Sequence, residues 1–450
     1  MMNKQLFIIP LLCVLVIFLP GCQPSETDPY KNTLDFRLEN AIEASLPGQG
    51  KISLILPSST DLLSIPQDPL NPISTEKIHL GQLLFHETAC GINPKEAVGR
   101  YTYSCASCHH ADAGFQAGMV QGIGEGGLGF GVKGESRVPF PGYSLDSIDV
   151  QPIRTPSALN IAFQSLVLWN GQFGATGQNI GTEANWTEGT PIETNHLGYE
   201  GTEVQAIAGL KVHRMGIDSA MLYELDYKSL FDAAYPDISQ ADRYTREQAG
   251  KAIAAYERTL LASEAPFQRW LNGDYQAMGS AEKRGAMLFF GKANCASCHS
   301  GPALNSMEFY ALGMNDLEGP GVYGSPDVNA NLGRGGFTKN ADEMYKFKTP
   351  QLYNLKDSPF YGHGGTFKSL REIVDYKNAG SPQNANVPGS QLAPEFKSLG
   401  LTYAEVSELV AFLENGLYDP ALDRYVPDAV LSGNCFPNND LRSRIDRDCQ

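Results

Sequence analysis

Basic residues are in short supply. The 450-residue chain carries 34 lysines and arginines against 50 aspartates and glutamates, a formal net charge of −16 at neutral pH. Nucleic acid is excluded as a partner by that balance, because its binding rests on lysines and arginines neutralising phosphates. An acidic surface suits a cationic protein met through complementary fields, or is simply a solvated exterior. Sustained strand alternation is also scarce, which turns the reading toward helices. Cysteine and histidine are infrequent, nine and eight residues respectively.

Against that scarcity, one pentad occurs twice: Cys105-Ala106-Ser107-Cys108-His109 and Cys295-Ala296-Ser297-Cys298-His299. C-x-x-C-H is the attachment site of a c-type haem; two thiols add to the vinyl groups and the histidine reaches the iron. A thioredoxin-like pair needs neither the histidine nor a second copy, and a zinc site would leave both histidines idle. Two covalent c-type haems make the chain a redox protein.

Leu6–Leu19 is an apolar run too short to span a bilayer comfortably, and Lys4 precedes it, so residues 1–22 read as an export signal. It ends in Leu19-Pro20-Gly21-Cys22, similar to a lipoprotein cleavage site with Cys22 as the lipid anchor; a plain secretory cut nearby is the alternative. Either way the chain is exported to the periplasmic side of the envelope, with the membrane met only through the anchor. Cys435 and Cys449 bracket a polar tail and can pair in that oxidising compartment, which leaves Cys90 over.

Residues 23–60 are polar and read as a tether and irregular lead-in. Gly81-x-x-Leu84-Phe85 precedes the first pentad and Gly285-x-x-Leu288-Phe289 the second, each as a helix feeding its haem-binding turn. Phe85 and Cys105 are 20 positions apart, Phe289 and Cys295 only 6, so the first copy of a duplicated unit carries an insertion that holds Cys90. The glycine-rich run 118–134 contains Gly122-x-Gly124-x-x-Gly127, but no strand precedes it and no helix follows, so a nucleotide fingerprint is rejected in favour of a mobile loop over the haem. Capping boxes at Thr245-x-x-Gln248 and Thr402-x-x-Glu405 open two further helices. The fold expected is mainly α, with two cytochrome c-like haem domains and long loops. Its divisions are the signal 1–22, the lead-in 23–60, an N-terminal haem domain 61–265, and a C-terminal haem domain 266–450 with the tail.

Over roughly residues 75–415 the chain resembles the bacterial di-haem cytochrome c peroxidases, a family that includes MauG-like enzymes. The resemblance rests on Pro156-Ser157-x-x-Asn160-x-x-Phe163 with Trp169-Asn170-Gly171, and on Gly291-Lys292-Ala293 leading into the second pentad and Gly301-Pro302. Lys348-Thr349-Pro350-x-Leu352-x-Asn354 and Pro359-Phe360-Tyr361-x-His363-x-Gly365 complete it. It implies hydrogen peroxide reacting at the His109 haem, electrons entering through the His299 haem, and Trp169 as the relay between them. The donor implied is a small cytochrome c or cupredoxin, or a protein substrate stands in its place.

Departures from the family pattern sharpen the reading. No histidine follows the first motif at the usual position of a second ligand: His110 is too close to His109, and His196 and His213 are the competing candidates. An open, five-coordinate first haem is therefore expected. Tyr376 stands where ordinary members carry a methionine ligand and MauG-like members a tyrosine, with Met314 and Met344 as less fitting alternatives. The family's acid–base glutamate maps to Glu203, or less well to Glu200, and Gln178 or Gln205 could orient the peroxide. A calcium ion between the haems is implied by backbone carbonyls of Asp357 and Pro359, but Arg154 stands at its asparagine ligand, with Asp149 or Asp146 as substitutes. His363 is expected as a hydrogen-bonding group near the second haem. The rival to an enzyme is a di-haem electron-transfer lipoprotein.

Overall fold

The structure is a computed structural model that describes residues 33–325 and 327–449. The expected export signal and its Cys22 lie outside the described residues. The described chain is mainly helical, and its strands are two short antiparallel pairs, β1 (Gly127–Leu128) with β2 (Val138–Pro139) and β3 (Phe309–Tyr310) with β4 (Phe347–Lys348). Helices in chain order are α1 (Leu34–Ser45), α2 (Thr75–His86), α3 (Gly201–Val212), α4 (Ser219–Tyr223), α5 (Tyr227–Ala234), α6 (Gln240–Arg243) and α7 (Arg246–Glu257). They continue with α8 (Pro266–Leu271), α9 (Ser280–Phe290), α10 (Val328–Asn331), α11 (Gly333–Thr338), α12 (Leu370–Ala379), α13 (Tyr403–Ala411) and α14 (Leu441–Asp446). Among the described residues no helix is long and apolar enough to cross a membrane.

Both capping predictions correspond to helix starts. Thr245 accepts a hydrogen bond from the Gln248 N–H at the head of α7, and Thr402 with Glu405 closes a reciprocal box at the head of α13. The two helices do the same job in the two copies. Helix α2 crosses α7 and α9 crosses α13; the second pentad follows closely on α9 and the first comes after the insertion that separates it from α2, each as a tight 3-10 turn. The repeat glycines sit at these crossings. A Cβ on Gly81 would lie 1.9 Å from the Ala252 carbonyl oxygen, and one on Gly285 2.0 Å from that of Glu408. Only glycine lets the backbones approach this closely, which explains why Gly-x-x-Leu-Phe recurs.

Three segments depart from the sequence reading. The polar lead-in holds α1, because Leu38 and Ile42, one turn apart, are fully buried against α9 while Asp35 pairs with Lys283 at 2.6 Å and accepts from Trp270 at 2.7 Å. Two apolar residues in a polar stretch carry too little periodicity to be read in advance. The tail after α13 folds back on the first haem turn: Ser104 and Ser107 hydroxyls donate to the Pro437 carbonyl at 2.9 and 3.2 Å. Asp440 and Asp446 accept from the N–H groups of Gly129, Phe130 and Gly131, and the Arg137–Asp440 pair at 3.1 Å is buried. The glycine-rich run, read as a mobile loop, is thus held by named bonds to the tail. Cys435 and Cys449 are joined, with their Cα atoms 5.7 Å apart, and close that tail into a ring; Cys90 is a free, buried thiol.

Gly81→Ala and Gly285→Ala should each cost about 3 kcal/mol, the upper end for overpacking, because the obstacle is backbone. Chemical denaturation of the holoprotein measures it, and a cost below about 0.5 kcal/mol would contradict the crossing geometry.

Candidate active site

A single cavity of about 640 Å³ lies between the two haem-binding turns, and His109, Cys295, Cys298 and His299 line it. Cys105 and Cys108, in the same turn as His109, are free thiols. Each histidine is presented the same way. His109 Nδ1 is held by the Phe115 carbonyl at 3.2 Å, and His299 Nδ1 by those of Leu304 and Pro350 at 3.0 and 3.1 Å. These bonds put the proton on Nδ1 and leave Nε2 as the lone-pair nitrogen. Burial pushes both imidazole pKa values down to about 4, so both rings stay neutral, the form a metal requires. Free thiol pairs beside oriented neutral imidazoles, on a cavity walled by apolar side chains such as Ala158, Ile161, Leu352 and Leu413, fit two covalent haems.

The duplication runs deeper than the pentads. Pro156, Asn160, Val167 and Trp169 match Pro350, Asn354, Tyr361 and His363, every pair 194 positions apart. Asn160 and Asn354 both adopt the left-handed backbone conformation, and their N–H groups donate to the carbonyls of Leu260 and Leu417. The copies then cross. The Arg154 N–H donates to the His363 carbonyl at 2.9 Å, and the Lys348 N–H to the Trp169 carbonyl at 2.7 Å. Trp169 Nε1 donates to the Arg154 carbonyl at 2.8 Å, and its ring meets His363 edge-on at 6.3 Å. Trp169 therefore stands on the wall of the shared cavity, at the seam between the copies. His363 stacks on Phe347 at 3.7 Å and faces Asp316 at 3.4 Å.

Glu203 and Glu200 are both turned away from the cavity. Glu203 is fully buried against Arg258, with contacts of 2.8 and 2.6 Å, and Glu200 takes the same guanidinium at 3.0 Å. Three carboxyls line the cavity: Asp316 and Glu395 beyond the second haem-binding turn, and Glu257, the last residue of α7, which shares its stretch of wall with Gln205 of α3. One Glu257 oxygen is buried without a hydrogen-bond partner. Burial, then repulsion from Glu203, raises its pKa to about 8 against the opposing pull of Arg258. A signal for Glu257 was present in the sequence: it lies four residues after Ile253 on the apolar stripe of α7, where a charged residue is out of place. Gln178 instead donates to Glu308 on the surface at 3.2 Å.

Other candidate ligands also have fixed positions. His196 meets Trp186 edge-on and bonds its carbonyl at 3.0 Å, and His213 pairs with Asp149 at 2.8 Å; neither lines the cavity. Tyr376 donates its hydroxyl to the Leu312 carbonyl and packs between Phe367 and Phe396, one residue from the cavity-lining Lys377. Met314 lines the cavity directly, whereas Met344 does not. The residues around the expected calcium position do not fit that ion. Between Asp357 and Pro359, the Ser358 hydroxyl accepts from the Arg154 guanidinium at 2.9 Å, and the Asp357 carboxylate already faces Lys133 at 3.0 Å. Asp149, one of the substitutes, is committed to His213.

Two C-x-x-C-H turns facing one cavity across an aromatic seam define a di-haem c-type redox protein. Residues 75–276 match the di-haem cytochrome c peroxidase family. That match spans a little under half of the chain, and the relatives that the chain resembles include MauG and cytochrome-c peroxidases. It is 29% identical over 362 residues to the methylamine utilization protein MauG of Methylorubrum extorquens, covering 80% of this chain and 83% of that one. A cytochrome-c peroxidase, IdrP1 of a Pseudomonas species, is also 29% identical, over 83% of this chain and 88% of its own. Among solved structures, a MauG-like protein associated with microbial copper homeostasis shares the fold with a TM-score of 0.55 and 24% identity, over 83% of this chain and 98% of that one.

Replacing Cys105 and Cys108 together by alanine should halve the covalent haem content, as should replacing Cys295 and Cys298. Intact mass of the purified protein reads the count, and an unchanged count in either variant would remove that pentad from the assignment.

Proposed function

We propose that this protein is an exported di-haem peroxidase of the MauG-like kind, whose first haem site stands open to hydrogen peroxide. One observation carries the reading. Among the described residues up to 276, the cavity wall contains His109, Gln205 and Glu257, but no second histidine, no methionine and no tyrosine. When bound, the haems supply the electron transfer that reduces peroxide to water. The chain supplies the proton work: Glu257 takes a proton from one peroxide oxygen and returns it to the departing one, while the Gln205 amide orients the molecule. Glu203, held by Arg258, acts on Glu257 through its charge rather than on peroxide itself. Trp169 relays electrons between the two sites in this reading, which its bond to Arg154 and its edge-on contact with His363 support.

The division at about residue 265 into a peroxidatic and an electron-transfer domain belongs to this reading. So do the donor, a small cytochrome c or cupredoxin, or a protein substrate in its place. Export with a lipid anchor at Cys22 agrees with the covalent haem sites. Tyr376 is proposed as the second ligand on the His299 side, its hydroxyl leaving the Leu312 carbonyl to reach the iron. Met314 offers a second reading, that of an ordinary peroxidase, because it lines the cavity and Tyr376 does not. Tyr376→Phe and Met314→Leu separate the two: only loss of the true ligand alters the ferric spectrum of the second haem.

Since Glu257 titrates near 8, it is mostly protonated at neutral pH, and the proton-accepting form grows as pH rises. The rate of reaction with peroxide should therefore climb with pH and level off above about 8. Glu257→Gln should lower the rate about 100-fold and flatten that limb. Stopped-flow absorbance measures both; a full rate in Glu257→Gln, with the slow rate appearing in Glu203→Gln, would return the proton role to Glu203.

A further inference from the structure

Buried arginines in this protein generally have an acid beside them: Arg137 has Asp440 at 3.1 Å and Arg258 has Glu203 at 2.6 Å. Arg154 is different. Its guanidinium is buried at the seam between the two copies and lines the cavity, yet no carboxylate among the described residues lies within ion-pair distance. Its partners are all neutral oxygens: Met119 carbonyl at 2.9 Å, Gln116 Oε1 at 3.0 Å, Ser358 Oγ at 2.9 Å and Ala117 carbonyl at 3.4 Å. Carbonyl, amide and hydroxyl oxygens converging on one positive centre are the ligand set of a hard divalent cation. Here the positive centre is covalently part of the chain.

The repeat makes the position systematic. Arg154-Thr155-Pro156 corresponds to Lys348-Thr349-Pro350, and Lys348 is likewise buried on the cavity wall, its ammonium facing Gln164 with no acid beside it. Burying a cation without an anion is expensive, and burial alone lowers the pKa of Arg154 to about 10 and that of Lys348 to about 7. Both side chains open onto the space that receives two haems, whose carboxylate side groups are anions of the kind that neither Arg154 nor Lys348 has within ion-pair distance among the described residues.

We propose that Arg154 is a built-in cation of the interhaem space. Its guanidinium takes the oxygen ligands, and supplies the positive charge, that a bound divalent ion would otherwise bring. Lys348 balances the other haem from the counterpart position. The holoprotein then couples its two haems without calcium. Arg154 is a positioning residue here: it touches neither peroxide nor iron, and acts through local charge and through the Trp169 indole bonded to its carbonyl.

The test begins with the wild-type holoprotein, exhaustively treated with EGTA and then assayed for metal content, thermal midpoint and both haem potentials. Less than stoichiometric calcium before treatment, and unchanged midpoint and potentials after it, are expected. Stoichiometric calcium whose removal shifts either potential would overturn the proposal. A second arm compares Arg154→Lys with Arg154→Asn, both in EGTA. A lost cation disfavours the more negative reduced state. Arg154→Asn should therefore lower both midpoint potentials, and Arg154→Lys should hold them near wild type. Potentials in Arg154→Asn equal to wild type would also overturn it, and where that variant fails to fold, the chelation arm decides alone.

Discussion

Everything about the site depends on a pair of reciprocal backbone hydrogen bonds. Arg154 N–H meets the His363 carbonyl, and Lys348 N–H meets the Trp169 carbonyl, so each copy of the duplicated unit is registered against the other at one seam. That registration brings two haem-binding turns to one cavity, and it sets Trp169 and His363 edge-on at the seam between them. Inside such a low-dielectric space charges count heavily, which is why the cations Arg154 and Lys348 and the acid Glu257 matter more than the surface charge of the chain.

The two termini reinforce the same arrangement from outside. Helix α1 comes before the first copy in sequence yet packs on α9 of the second, while the disulfide-closed tail comes after the second copy and packs on the first haem turn. Separating the copies would therefore expose Leu38 and Ile42 at one end and uncover the Arg137–Asp440 pair at the other. Long-range closure of this kind holds the seam, and with it the cavity.

The pentads were fully legible, because covalent haem attachment demands adjacent residue types at fixed spacing. So were α7 and α13, whose caps and apolar stripes are local. What lay hidden depended on tertiary contact. The sequence points to Glu203 by spacing, but adjacent residues on a helix face different ways, and Arg258 captures Glu203 while Glu257 faces the cavity. Helix α1 was disguised by its polar surroundings, and the tail's docking leaves no periodic trace. Arg154 was visible as a departure from the family pattern, but its cage of neutral oxygens emerges only when residues 116–119 and 358 are brought together.

The central claim is the open first site, and the most direct test is to add one equivalent of hydrogen peroxide to the all-ferric holoprotein, without reductant, while recording its absorbance. The account predicts prompt change in the spectra of both haems. A spectrum that stays unchanged until the second haem has been reduced would mean that the first iron is closed by a ligand, and would contradict it.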